Sequence, residues 1–223
     1  MEMKYKTCVS IAENSSQKIK QKLKGALKKS DYAEIRFDFL KADEIPKTLE
    51  SIKLDLKKVV CTLRPKSEGG KFEGDEKERI AILKLIAEYS PFLLDIEFNT
   101  IRKNKELAKY LKTTRTELLI SWHDFKKTPK LFELKNMMNH MTKFSHNVKI
   151  VTTAKTIDDS TRILRLYNKN GKNNLIAFAM GDSGRVSRIL CLYLGSPYTY
   201  VSLGKPVAAG QFSVDEVKKI INR

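Results

Sequence analysis

Lys149 lies inside HNVKIVTTA and His123 inside LLISWHDF, two apolar, β-branched stretches that read as buried strands. An ammonium group taken out of water costs several kcal/mol unless it is paired or neutralised, and that cost can pull a lysine's pKa from about 10.4 toward neutrality. A lysine in that condition attacks ketones. The imine it forms carries positive charge on nitrogen and acidifies the neighbouring C–H. A histidine, with an ordinary pKa of about 6.5, can take that proton and return one to a leaving hydroxyl. His140 and His146 fall in or just after the next helical stretch and read as surface or connector residues.

Such a pair needs a frame that sets strands side by side. Strand-like runs alternate with helix-like runs along the whole chain: KTCVSIA, DYAEIRFDFL, KKVVCTLR, FLLDIEF, ELLISWHDF, VKIVTTA, NLIAFAMG and YTYVSLG are each followed by an amphipathic stretch. Eight such units predict an α/β fold, a compact (β/α)8 TIM barrel with residues 1–223 as a single domain. At 223 residues the chain is short for that architecture but long enough for it. An open doubly wound sheet is the alternative, although no glycine-rich dinucleotide fingerprint follows an early strand.

In a barrel, alternate strand residues face inward and chemistry sits at the strands' C-terminal ends. Glu34, Arg36 and Asp38 share one face of AEIRFDF, Thr62 shares a face with Arg64, Ser121 with His123, and Lys149 with Val151 and Thr153. Glu34, Arg36, Arg64, Glu68, His123 and Lys149 could therefore converge in one mouth, where charged groups must be paired or used. A structural ion-pair layer is the bland alternative. Arginines at strand ends offer forks for a carboxylate. Arg188 opens a helix after GDSGR, a stretch that is either a phosphate cradle or an ordinary turn between strand and helix.

The net charge of +17 and a pI of 9.7 are also a first mark of a nucleic-acid binder. In SQKIKQKLKGALKKS, however, Ile19, Leu23, Ala26 and Leu27 form the apolar stripe of a helix while the lysines fall mostly outside it. No aromatic platform or RNA-binding fingerprint accompanies them, so no nucleic-acid partner is expected. Cys8, Cys61 and Cys191 are odd in number and far apart, which suits neither a disulfide framework nor a zinc site. With no signal peptide and no run of roughly 20 apolar residues, a reduced cytoplasmic protein without a membrane partner is expected.

The stretches EIRFDFL, CTLRPKSEGGKFEG, ISWHDFKKTP, VKIVTTAKTIDD, FAMGDSGRVSRI and AAGQFSVDEV occur in this order and closely resemble type I 3-dehydroquinate dehydratase over nearly the whole chain. The resemblance implies a shikimate-pathway hydro-lyase that converts 3-dehydroquinate to 3-dehydroshikimate through a lysine imine, with no metal and no cofactor. It implies Lys149 as the Schiff-base lysine, His123 as general acid and base, and Glu68 as the residue that orients the histidine. It further implies Ser10, Glu34, Arg36, Arg64, Arg188 and Gln211 as substrate-binding positions, with Arg188 on the substrate carboxylate and Glu34 and Arg36 on ring hydroxyls. Members of the family are often homodimers. Where the family commonly has SAPGQ in a loop that closes over substrate, this chain has VAAGQ, so Val207 stands in place of a serine. The rival readings are another imine-forming barrel, such as a class I aldolase whose sugar phosphate would sit at GDSGR, and a basic nucleic-acid-binding protein.

Overall fold

Each run of apolar, β-branched residues forms a strand in the computed structural model, which describes residues 5–168 and 173–221. The strands are β1 (Thr7–Ile11), β2 (Tyr32–Arg36), β3 (Val59–Thr62), β4 (Leu93–Glu97), β5 (Leu118–His123), β6 (Asn147–Thr153), β7 (Asn174–Met180) and β8 (Thr199–Val201). They form one sheet in the order β7-β6-β5-β4-β3-β2-β1-β8. The last strand pairs in parallel with the first, Cys8 opposite Tyr200, and from β1 to β7 neighbours in sequence are neighbours in the sheet. That is the strand order of a (β/α)8 barrel and not of a doubly wound sheet, whose order reverses at a switch point.

The intervening helices are α1 (Ser16–Lys29), α2 (Glu44–Ser51), α3 (Glu76–Glu88), α4 (Phe98–Lys103), α5 (Lys105–Leu111), α6 (Leu131–Met141), α7 (Ile157–Leu164), α8 (Ser187–Tyr193) and α9 (Val214–Ile221). Local chemistry marks their starts. Asp75 accepts the Glu78 amide at 2.7 Å and Asn104 accepts the Leu107 amide at 2.8 Å. In α1, Ile19, Leu23 and Ala26 are buried and the lysines of the opposite face are exposed, as the stripe predicts. No helix among the described residues is long and apolar enough to cross a membrane.

Contacts divide the chain into two compact units, one formed by Ser10–Leu119 and the other by residues 1–9 with 120–223. In the first unit β2 pairs with β3, Arg36 opposite Thr62, and β3 with β4, Thr62 opposite Asp95. In the second, β6 runs alongside β7 with Lys149 opposite Ile176.

Strand ends depart from the alternation read in the sequence. β2 stops at Arg36 and Phe37–Phe39 turn into a 3-10 helix, so Asp38 leaves the strand face it was assigned to. β3 stops at Thr62, leaving Arg64 beyond the strand, and Phe98 begins α4 instead of ending β4.

The exit from β3 is a tight loop. The amides of Glu68 and Gly70 both donate to the Pro65 carbonyl, at 3.0 and 2.9 Å, and Gly69 takes φ +75, a conformation that glycine adopts without steric cost. At Gly70 a side chain has no room, since a Cβ would lie 1.9 Å from the Arg64 carbonyl oxygen. Gly70→Ala must therefore displace the Arg64 backbone, and we expect a loss of about 1–3 kcal/mol in urea unfolding. An unchanged midpoint and slope would contradict this packing.

Candidate active site

In the unit Ser10–Leu119, the ends of β1 to β4 gather a buried polar cluster. Each oxygen of the Glu34 carboxylate accepts one hydroxyl, from Ser10 at 3.1 Å and from Thr62 at 2.9 Å. Arg36 reaches the displaced Asp38 with both arms of its fork, at 2.7 Å each, and lies over the Phe39 ring. The 3-10 turn thus gives Arg36 an acid that strand alternation would have placed two positions further along the sheet.

Arg64, 4% exposed, is held between two acids of β4: one terminal nitrogen lies 2.7 Å from Glu97 and the other 2.8 Å from Asp95. Burial by itself would lower its pKa, but the two carboxylates outweigh burial and raise it, so the guanidinium keeps its charge. The β3 loop brings Glu68 back to this cluster, where Asn99 donates a long hydrogen bond of 3.5 Å. Burial first, and then Glu97 and Asp95 against the opposing Arg64, push the Glu68 carboxyl up from 4.5 to about 7. A cavity of about 500 Å³ opens beside it, lined among others by Ser67, Glu68, Arg79, Asn99 and Lys103.

In the other unit, Lys149 is 4% exposed in the middle of β6. Its Nζ donates to the Tyr200 hydroxyl at 3.5 Å and lies 4.8 Å from the centre of the Tyr200 ring. Tyr200 meets Phe178 edge-on at 6.4 Å, and the Arg188 guanidinium covers Phe178 at 4.4 Å. Two buried cations are thus linked through an aromatic pair. His123 ends β5, half-buried and stacked on Phe125; the next residue, Asp124, donates its amide to Val151, two positions beyond Lys149.

Arg188 is buried and forms no ion pair among the described residues. One terminal nitrogen donates to the Ala209 carbonyl at 3.0 Å, while its Nε is buried with no hydrogen-bond partner. Burial pulls the group down to about 10, still protonated at neutral pH. The loop that supplies Ala209 is fastened by Gln211, whose Oε1 accepts the amides of Val207 at 2.9 Å and Ala208 at 3.4 Å. The GDSGR stretch makes a poor phosphate cradle. The Gly184 amide is spent on Gly181, the Arg185 amide on Asp182 and the Ser183 hydroxyl on the Lys155 carbonyl.

The structure thus brings Ser10 to Glu34, and Arg64 to the same acids that act on Glu68, in one unit. In the other it brings Arg188 and Gln211 to one loop and Lys149 to Tyr200. Sequence reading passed over Asp95, Glu97, Tyr200 and Arg79. Asp95 and Glu97 had a signal available, since LLDIE places two acids at i and i+2 in an apolar run, the same pattern as Glu34 and Arg36. Tyr200 had none, because aromatic residues are ordinary in strands. Among the described residues no group of three or more His, Cys, Asp or Glu side chains is gathered as metal ligands.

The raised Glu68 pKa has a consequence for stability. Between pH 4.5 and about 7 the folded protein holds a proton at Glu68 that the unfolded chain has released, so stability falls as pH rises through that window. The loss amounts to roughly 3 kcal/mol from this group. Glu68→Gln should remove that part of the slope, read by urea unfolding at pH 4.5 and pH 8; a variant with the wild-type pH dependence would show that Glu68 ionises normally.

Residues 7–223 match the family model for type I 3-dehydroquinase. Relatives named 3-dehydroquinate dehydratase include one from Dehalococcoides mccartyi, 36% identical over 203 residues that cover 87% of this chain and 88% of the relative. Another, from Thermococcus onnurineus, is 33% identical over 214 residues, 96% of this chain and 95% of the relative. Among solved structures, 3-dehydroquinate dehydratase from Geobacillus kaustophilus superimposes with a TM-score of 0.89 at 20% identity, covering 98% of this chain and 90% of that one, a likeness of fold. With a family match over nearly its full length and relatives above 30% identity, the chain belongs to the type I 3-dehydroquinase family.

Proposed function

We propose that this chain is a hydro-lyase that dehydrates 3-dehydroquinate to 3-dehydroshikimate, the two compact units acting as one catalytic domain. The observation that carries the reading is the burial of the Lys149 ammonium in mid-strand, in a chain of this family. Lys149 Nζ adds to the substrate ketone and water leaves, giving an iminium ion. His123 takes the proton from the carbon beside the iminium carbon. The electron pair of that C–H bond moves toward nitrogen and then expels the hydroxyl, which His123 protonates as it departs. Hydrolysis of the imine frees Lys149 and the product.

The remaining residues hold the substrate. Arg188 is a buried cation with no acid of its own among the described residues, so a substrate carboxylate supplies the counter-charge that burial makes costly to lack. Ser10, Glu34 and Arg36 contact ring hydroxyls. Arg64 fixes the ring from within its acid pair, and Glu68 orients His123 with a carboxyl that titrates near the working pH. Gln211 ties the 207–211 loop over the site. The enzyme works as a cytoplasmic homodimer in aromatic amino-acid biosynthesis. An aldolase reading would find two of the GDSGR amides already engaged within the fold, and a nucleic-acid reading rests on a solvated lysine face.

Two experiments test the reading. Borohydride reduction with 3-dehydroquinate should leave substrate mass on Lys149 by peptide mass spectrometry, and His123→Ala should still trap the imine while losing about 100-fold or more in turnover. Labelling of another residue, or trapping of a phosphorylated ketose instead, would overturn it. Val207→Ser adds the missing hydroxyl to the closing loop, and KM should fall about 2- to 10-fold with kcat little changed. No change in either constant would count against a binding role for that loop.

A further inference from the structure

Arg79 is a buried arginine on α3, 1% exposed, and is not among the residues expected to touch substrate. Its five N–H donors are all used. Nε and one terminal nitrogen take the two oxygens of Glu76 at 2.8 Å each, and that same terminal nitrogen reaches Thr100 Oγ1 at 2.6 Å. The other terminal nitrogen reaches Glu97 Oε2 at 2.9 Å and the Leu63 carbonyl at 3.2 Å. Two of these partners bear on Arg64. Glu97 gives its other oxygen to Arg64, and Leu63 is the residue just before it.

The arithmetic of charge points the same way. Arg64 faces two carboxylates, Asp95 and Glu97, and alone does not match their charge. Arg79 brings a second positive charge to Glu97, and the acid that comes with it, Glu76, anchors it from the rim, where its side chain is 57% exposed and its charge is screened by solvent. We infer that Arg79 is a positioning residue: through the shared Glu97 carboxylate and the Leu63 carbonyl it fixes the direction of Arg64, and so sets substrate affinity without touching substrate. The inference rests on the proposed function for the identity of the substrate, but the geometry of Arg64 can be read independently.

Arg79→Lys keeps the charge and loses the fork. It should raise KM for 3-dehydroquinate about tenfold while kcat per borohydride-titrated site stays within about twofold, the pattern of lost uniform binding. A purely structural role would lower the number of titratable sites and leave KM alone, and that result would overturn the proposal. In an Arg64→Lys background the further change Arg79→Lys should have little effect on KM; full additivity would show that Arg79 does not act through Arg64. Glu76→Gln, made at the exposed rim, provides a variant expected to fold, and its KM should rise in the same direction by a smaller factor; an unchanged KM there would count against the anchor.

Hydrogen exchange of the Arg64 guanidinium by NMR with 15N-labelled arginine separates this inference from the function. Faster exchange in Arg79→Lys supports positioning, whatever the wild-type protein does to 3-dehydroquinate. Unchanged exchange refutes it even in an active dehydratase. An absence of wild-type turnover with Arg64 exchange sensitive to Arg79 would sink the proposed function and leave the positioning intact.

Discussion

Glu97 accepts a guanidinium on each of its oxygens, Arg64 from one side and Arg79 from the other, with less than 5% of any of the three exposed. Such an arrangement is stable only complete. A buried charge that loses its partner costs about 3–5 kcal/mol, so the three residues, with Asp95 and Glu76, constrain one another's positions strongly. The consequences spread outward from there. The β3 exit must turn sharply to keep Arg64 over β4, which makes Gly70 obligatory, and the same turn returns Glu68 to the acids that raise its pKa.

The other unit solves the same problem of buried charge differently. Lys149 and Arg188 lie against the rings of Tyr200 and Phe178, and Arg188 forms no ion pair among the described residues. A ring face attracts a cation but neutralises nothing. At Arg188 positive charge is therefore left for the carboxylate that the proposed reaction brings, while in the first unit the Arg64 charge is held against Asp95 and Glu97. In the proposed function the side chains of the first unit contact the hydroxylated ring, and Arg188 in the second meets the carboxylate. The net charge of +17 plays no part in this, since lysines such as those of α1 face solvent.

Much of the architecture was legible because strand and helix carry different periods. Eight apolar runs at regular spacing named the strands, and the order of the sheet follows from that alternation. The ends were not legible. Asp38 was placed on the β2 face by alternation, yet the chain turns at Phe37 because Asp38 accepts both arms of Arg36 and the Lys71 amide at 2.9 Å, a long-range bond that no local window contains. Glu97 was passed over for a similar reason, as the last residue of an apolar strand whose two partners lie 33 and 18 residues away.

By itself the sequence determined the fold class, through periodicity, and the family, through the order of its motifs, and it offered candidate side chains for the chemistry through residue type. A lysine or histidine within a β-branched run stands out wherever the chain goes. Tertiary structure alone decided the pairing: which acids hold Arg64, that Arg188 has none among the described residues, that Tyr200 lies against Lys149, and that Arg79 stands behind the cluster. Pairing of buried charges depends on distances of a few ångströms between residues far apart in the chain, and only the folded backbone sets those distances.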